Sequence, residues 1–453
     1  MNILHYNLGL PPYRSGGMTK YSVDLMKVEE SMGNDISLLF PGHMKILDSK
    51  VSIRKYDIID KIVVYELENP LPVPLMKGIY NPIKFMKKTS TDEFINFLKN
   101  KAIDVVHIHT IMGLYIEFLE ACKLLDIKVV FTTHDYYGLC PKVNFLDYTG
   151  CICKKRDINK CVICNKYSAD SILKIYLKQS RTYRKLREYT KIVKLAKRIL
   201  KNNGGSKKNI TVNYSEEDKS NFEKLIKYYE DMFNLIDTFF FNSDISEKIF
   251  RKYLKVSGEI IPITHNLIKD NRTIKNFLKK EKLIIGYLGS TEQYKGFEIL
   301  KEVAKEIDEN CDIEVYGKIT IREKFIPKNI KLKGEYNYSM LKDIFNRVDV
   351  VIMPSIWYET YGFVILEALS YGVPVITTSL VGGKMLLKNE YGDLGIVSEP
   401  NKEGIMEAIL KIVNNREILK YFNNNINKGK FDHTMNEHGK FVLECMLRQK
   451  EVK

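Results

Sequence analysis

Short apolar runs alternate with helix-spaced amphipathic stretches along most of this 453-residue chain. Asn2–Leu8 reads as a buried strand, a Gly/Pro-rich loop runs from Gly9 to Gly17, and Tyr21, Leu25 and Val28 then fall at helical spacing. Ile36–Phe40 is a second apolar run, closed by Pro41-Gly42. Strand, glycine loop, helix and strand in that order open a βαβ unit. Runs at Ile103–His109 and Lys128–Thr133 bracket a helical stretch from Leu114 to Leu125 and extend the parallel-sheet pattern. Between about Cys140 and Leu235 the rhythm breaks, and that segment reads as an insertion holding a cysteine cluster, a basic stretch and the breaker Asn202-Asn203-Gly204-Gly205-Ser206. Thr238–Phe241 resumes the alternation and Glu259–Ile263 closes the first half.

A polar stretch from Lys269 to Lys282 reads as a linker, and the second half repeats the same grammar. Strands are expected at Leu283–Leu288, Ile313–Tyr316, Ile330–Lys333, Val350–Met353 and Val373–Thr377. The fold class is therefore α/β, with two doubly wound Rossmann-like domains facing a central cleft. The expected boundaries are 1–268, carrying the insertion at about 140–235, then 269–430, and a helix at 431–453 packing back on the first domain. Ligands of such sheets bind outside the carboxyl ends of the strands.

The length, about three times a common single domain, agrees with that division. Hydrophobic residues at 45% and charged residues at 28% describe an ordinary soluble globular protein. No run is long enough to span a bilayer, and the start Met1-Asn2-Ile3-Leu4-His5 lacks the basic region of a signal peptide. A cytoplasmic location is expected, with cysteines as thiols or metal ligands. The net charge of +15 is concentrated: twelve Lys/Arg against two acids lie between Lys166 and Lys201. An anionic partner is implied.

The most informative stretch is Met353-Pro-Ser-Ile-Trp-Tyr-Glu359-Thr-Tyr361-Gly362-Phe363-Val-Ile-Leu-Glu367-Ala-Leu-Ser-Tyr-Gly372-Val-Pro374. A strand ends at Met353, a loop carries Trp357 to Gly362, and a helix begins near Phe363, where unpaired backbone N–H groups suit a phosphate. Glu359 and Glu367, eight residues apart, can accept hydrogen bonds from vicinal sugar hydroxyls. A bare pair of glutamates is more often a solvated charge. This segment, however, resembles the Glu-x7-Glu signature of the retaining family-4 glycosyltransferases of the GT-B fold.

The resemblance extends over nearly the whole chain. Gly16-Gly17 is similar to the family's N-terminal glycine loop, although turn chemistry alone explains many such pairs. Asp104-Val-Val-His-Ile-His109 and Thr132-Thr-His134-Asp135-Tyr-Tyr-Gly-Leu-Cys-Pro141 resemble two strand-end histidine motifs. By analogy His134 contacts the transferred sugar, with His109 and Asp135 on the same acceptor side; a structural, hydrogen-bonded histidine is the plainer reading of each ring. Asn242-Ser243 resembles a strand-end pair, and His265-Asn266 matches the family's linker only loosely. Gly286-Tyr-Leu-Gly289-Ser-Thr-Glu-Gln-Tyr-Lys295-Gly296 is similar to the loop whose cations neutralise the donor diphosphate, a role that suits Lys295. Many members have an arginine directly after that glycine; this chain has Ser290. Tyr316-Gly317 fits the loop that packs on the base.

The resemblance implies a retaining, metal-independent transferase using a UDP- or GDP-sugar donor and a glycan or lipid-linked acceptor in cell-surface polysaccharide or glycolipid assembly. No cofactor is required for catalysis, and no Asp-x-Asp stands at a strand end to hold Mg²⁺. Glu359, His134 and Lys295 are the expected catalytic residues. Donor binding falls to Gly16, Gly17, Lys295, Gly317, Glu359, Tyr361, Gly362, Phe363 and Glu367.

Cys151-x-Cys153 and Cys161-x-x-Cys164 have the spacing of a structural zinc site, set against the alternative of free thiols. Leu186, Tyr189, Val193, Ala196 and Leu200 recur at helical spacing among basic residues, either packed with a solvated face or placed against an anionic membrane surface. Two rival functions remain: a nucleotide-sugar epimerase of the same architecture, and a basic Cys-cluster protein bound to nucleic acid. The second would need basic residues interleaved with aromatics along a groove, and no nucleic-acid partner is expected.

Overall fold

The computed structural model describes residues 1–45, 50–188, 213–278, 280–307, 311–320 and 326–448. The chain divides into two compact units: Met1–Phe241 with Lys248–Ile261 and Gly439–Lys453, and Asn242–Glu247 with Pro262–His438.

The first unit is built on an eight-stranded sheet in the order β3-β4-β2-β1-β5-β6-β7-β8. Its strands are β1 (Asn2–Tyr6), β2 (Asp35–Pro41), β3 (Ser52–Ile59), β4 (Ile62–Glu68), β5 (Val105–Ile108), β6 (Lys128–Thr132), β7 (Thr238–Phe241) and β8 (Gly258–Ile260). All neighbours run parallel except β3 and β4, an antiparallel hairpin. Asp60 and Lys61, both at positive φ (47° and 68°), make the two-residue turn that suits the twist of a hairpin. The hairpin was not expected from the sequence. Edge strand β3 exposes Arg54, Lys55 and Asp57, charges of the kind that discourage edge pairing and that here hide the apolar alternation.

β1 and β5 are adjacent, yet the chain leaves them in opposite directions across the sheet, toward β2 and toward β6. Their carboxyl ends therefore flank the reversal of strand order, where doubly wound sheets bind ligands. Phe131, Phe233, Phe239, Phe241 and Phe250 pack against one another at β6 and β7, with Phe233 edge to face on Phe131 and Phe250. The helix Met435–Leu447 enters this unit at Gly439, where an added Cβ would lie 2.6 Å from Val28. At its other end Lys128 Nζ donates to the carbonyls of Cys445 (3.4 Å) and Met446 (2.9 Å), satisfying groups that a helix leaves unpaired.

The second unit holds a six-stranded, all-parallel sheet in the order β11-β10-β9-β12-β13-β16. The strands are β9 (Leu283–Leu288), β10 (Cys311–Tyr316), β11 (Ile330–Gly334), β12 (Val350–Met353), β13 (Val375–Thr378) and β16 (Gly395–Ser398), with a small antiparallel pair β14 (Lys388–Asn389) and β15 (Gly392–Asp393). Leu283, Ile285, Ile313, Val315, Val350, Ile352 and Ile376 fill its core against Phe297, Leu300 and Ile409. The reversal of order here lies between β9 and β12. These two sheets bear out the α/β, doubly wound reading.

Candidate active site

In the second unit the strand-order reversal sets two loops side by side. After β9 the chain turns through a short 3-10 segment, Gln293–Lys295, into the helix Phe297–Ala304. Gly296 makes that turn at φ 76°, and a Cβ there would come within 1.7 Å of the Pro354 carbonyl. Only glycine allows the β9 loop to lie so close to the β12 loop. The result is an ion pair between Lys295 Nζ and Glu359 Oε2. Trp357 Nε1 donates to the same carboxylate oxygen at 3.0 Å, and Lys295 lies 5.2 Å from the Trp357 ring centre. Cation, carboxylate and indole form one partly exposed cluster, with Lys295 at 24% and Glu359 at 16% side-chain exposure. The Glu359 loop is pinned from below: Glu359 N–H donates to Leu380 (3.0 Å), Gly382 N–H to Glu359 (2.9 Å) and Gly383 N–H to Tyr361 (2.6 Å).

The other sequence-derived donor residues of this unit lie on the neighbouring loops and on the helix that follows the Glu359 loop. Gly362 sits at φ 92° directly before the helix Phe363–Leu369. Gly317 closes on the β9 loop, since a Cβ at its φ of 143° would meet the Gly289 carbonyl at 2.0 Å. Tyr361 is buried, and among the described residues its hydroxyl has no hydrogen-bond partner. Glu367 is also buried, and it has a partner that the sequence did not assign. His265 Nδ1 accepts from the Leu267 N–H at 3.3 Å, which leaves Nε2 as the protonated nitrogen, 3.1 Å from Glu367 Oε1. The His265 ring is held edge to face by Phe363 and Tyr338. Ser290 supplies its carbonyl to the Tyr287 hydroxyl at 2.6 Å.

In the first unit Gly16, at φ 129°, precedes the helix Gly17–Ser31, and a Cβ on Gly16 would meet nothing within 4 Å. The carboxyl ends of β1, β5 and β6 bring His5, His107, His109 and His134 together. His109 Nδ1 lies 3.3 Å from His134 Nε2, and His109 Nε2 lies 3.1 Å from His5 Nδ1. His5 Nε2 is 2.7 Å from Glu29 Oε2, and His107 Nε2 is 2.7 Å from Thr132 Oγ1. Burial, followed by the neighbouring rings, holds His109 well below the usual imidazole range; burial takes His134 down to about 3. Both rings are neutral near pH 7. Asp135 is pushed up to about 6 by burial, against the hydrogen bond it accepts from the Tyr137 N–H at 2.9 Å. Sequence reasoning singled out His109, His134 and Asp135 but not His5 or Glu29. The signal for Glu29 was present: it follows Tyr21 and Leu25 at intervals of four, on the buried stripe of its helix.

Two groups of three or more possible donor side chains have their ligand atoms within 4.8 Å of one another among the described residues: His5–His107–His109 and His43–Glu66–Glu68. The second already holds cations. Burial alone would raise the Glu66 carboxyl, yet hydrogen bonds and charge from Arg54 and Arg184 hold it below its usual range. The cysteines of the insertion belong to neither group. Cys153, Cys161 and Cys164 line one cavity of about 280 Å³ together with Cys140. Cys151, expected as a ligand, is exposed and does not line that cavity. Cys140 lines the cavity in the place that sequence spacing assigned to Cys151. Of the basic amphipathic stretch, Leu186 is exposed on the helix Arg181–Glu188, while Tyr189, Val193, Ala196 and Leu200 lie outside the described residues. No helix among the described residues is long and apolar enough to cross a membrane.

Two doubly wound sheets, each with polar side chains gathered at its strand-order reversal, define the α/β class whose ligands bind at the carboxyl ends of the strands. Comparison with known proteins gives the family. Residues 269–429 match the family model "Glycosyl transferases group 1" and residues 15–200 match "Glycosyltransferase Family 4". The chain belongs to the family-4 glycosyltransferases of the GT-B fold. An uncharacterized glycosyltransferase of Methanocaldococcus jannaschii is 26% identical over 34% of this chain and 41% of its own length, so the chain aligns with less than half of that relative. Among solved structures, the lipopolysaccharide outer core galactosyltransferase WaaB superposes with a TM-score of 0.58 at 11% identity, over 99% of this chain and 100% of that one. HepE of Anabaena, solved with UDP-glucose, gives 0.55 at 12% identity over 98% and 100%.

Proposed function

We propose that this protein transfers a sugar from a UDP- or GDP-sugar to a glycan or lipid-linked acceptor, with retention of anomeric configuration, in the assembly of a cell-surface polysaccharide or glycolipid. The observation that carries this reading is the Lys295–Glu359–Trp357 cluster at the reversal of the second sheet. A lysine already paired with a carboxylate is a cation held in place for a diphosphate: the donor replaces one anionic partner with a stronger one. Freed from Lys295, Glu359 accepts from sugar hydroxyls. Glu367, its charge already shared with His265, accepts from the ribose. His134 is the group we assign to the transferred sugar. HepE, solved with UDP-glucose, and WaaB, a lipopolysaccharide galactosyltransferase, support the donor class and the type of product.

The test uses labelled UDP-glucose and GDP-mannose, each with and without a membrane lipid extract or a polysaccharide primer. One donor raises the melting temperature, as a ligand at a hundred times its Kd adds about 2.7 kcal/mol, and its label moves to the acceptor with the α configuration kept. An inverted product, or donor consumption at the same rate with no acceptor, overturns the assignment; the latter is the behaviour of the epimerase alternative.

We also propose a structural zinc held by Cys140, Cys153, Cys161 and Cys164. Four cysteines supply the ligand count of a tetrahedral zinc, and binding would draw their sulfurs together, since no three of them lie within 4.8 Å of one another here. Burial, then neighbouring thiols, raises Cys153 to about 11 and Cys161 to about 12, while burial takes Cys164 to about 12; all three stay protonated until a metal replaces their protons. Protein purified without chelator is expected to carry one zinc per chain, kept in Cys151→Ser and lost in Cys153→Ser. Zinc retained by Cys153→Ser, or no zinc in the parent chain, overturns this site.

A further inference from the structure

The chain Glu29–His5–His109–His134 crosses the sheet reversal of the first unit through three hydrogen-bonded imidazoles. Each ring comes from the carboxyl end of a different strand: His5 from β1, His109 from the end of β5, His134 from the end of β6. His5, His109 and Glu29 are fully buried. The His5 and His109 rings differ by 9° in plane, with centres 5.4 Å apart and facing nitrogens 3.1 Å apart. Such rings lie edge to edge in nearly one plane, the direction in which an imidazole N–H and its lone pair point. His107, by contrast, lies 4.3 Å from His109 centre to centre at a 33° tilt, partly face to face. Three ligands radiating from one metal ion would not stack in this way, and the geometry is that of a hydrogen-bonded relay.

A neutral imidazole has one donor and one acceptor nitrogen, so a chain of them has a direction, and its end group sets that direction. A Glu29 carboxylate accepts from His5 Nε2–H. In a chain of neutral rings His5 Nδ1 is then the acceptor and takes the proton of His109 Nε2–H. His109 Nδ1 in turn takes His134 Nε2–H. The neutral state that burial imposes on His109 and His134 is the state this chain requires.

We propose that Glu29 is a positioning residue that acts through His5 and His109 to fix the tautomer of His134, so that Nδ1 of His134 always meets its partner as an acceptor. An acceptor nitrogen suits a sugar hydroxyl, which must donate. This inference rests on the assignment of His134 to the transferred sugar. The relay would also keep that ring in one orientation, since turning it breaks the bond to His109.

The experiment is long-range nitrogen-15 NMR of the full chain labelled at histidine, which reads each ring nitrogen as protonated or bare. His5, His109 and His134 are expected as neutral Nε2–H forms in the parent chain. In Glu29→Gln, whose amide can donate or accept, the three rings are expected to become a mixture of tautomers, with turnover falling about tenfold and donor KM changing less than twofold. His134 carrying its proton on Nδ1 in the parent chain, an imidazolium or metal-bound ring, or tautomers unmoved by Glu29→Gln overturns the relay. His134→Ala separates the two ideas: full activity in that variant removes His134 from the sugar and the relay's catalytic role with it, whatever the tautomers. Loss of activity there with the wrong tautomers leaves the sugar contact and removes the relay.

Discussion

The two sheet reversals of this protein treat charge in opposite ways. In the second unit Lys295 and Glu359 are partly exposed and form an ion pair with each other. In the first unit His109 is fully buried and His134 partly so, and both are held neutral. The physical reason lies in what burial costs. An ion taken wholly out of water needs a partner of excellent geometry, whereas a neutral imidazole needs only one donor and one acceptor. On the proposed reading, the groups assigned to a charged diphosphate stay near the surface, provisionally paired, and those assigned to a sugar hydroxyl are sunk into the sheet. The lesson is that a ligand-free ion pair and a buried hydrogen-bonded chain are two ways of keeping a site ordered until its ligand arrives.

The largest effect is expected from breaking the charged cluster. Lys295→Ala removes the cation we assign to the leaving diphosphate and should lower turnover by about 10²-fold or more. Glu359→Ala should do the same by releasing the sugar. Neither should disturb the fold, because the pair lies in the loops at the end of the sheet and outside the hydrophobic core of this unit. Both variants should melt within a few degrees of the parent chain by circular dichroism. Near-normal turnover in both would remove this cluster from the reaction.

Much of this division was legible in the sequence. Strands β7, β9 and β12 lie where their apolar runs ended, because a strand buried on both faces has no polar alternation to blur it. The Glu359 to Glu367 loop stood out because its spacing is local. The partners of those residues were hidden because they are not. His265 reaches Glu367 across 102 positions, and His5 reaches His109 across 104. No periodicity joins such pairs; only the order of strands in the sheet does. The cysteines show the same limit: the spacing pointed to Cys151, while the fold of the loop puts Cys140 beside Cys153.

The smallest effect expected is also the most direct probe of the neutral side of the comparison. Asp135 adjoins His134, and burial raises its carboxyl to about 6, above the ordinary aspartate range. The sign follows from linkage: an acid with a raised native pKa binds its proton more tightly when folded, so the fold is favoured while that proton is on. Below the ordinary aspartate pKa, about 3.9, Asp135 costs nothing. As the pH rises from about 4 to about 6 the unfolded chain ionises first and stability is lost, and above that window the loss is constant. Two pKa units correspond to at most about 3 kcal/mol at 1.36 kcal/mol each, and less for a group that water still reaches. Asp135→Asn keeps an oxygen for the Tyr137 N–H and cannot ionise. Relative to the parent chain its melting temperature should rise by a few degrees between pH 4.5 and pH 7.5. An offset that stays the same at both pH values would mean that the first unit tolerates a carboxylate at this point, and that exclusion of charge is confined to the histidine chain itself.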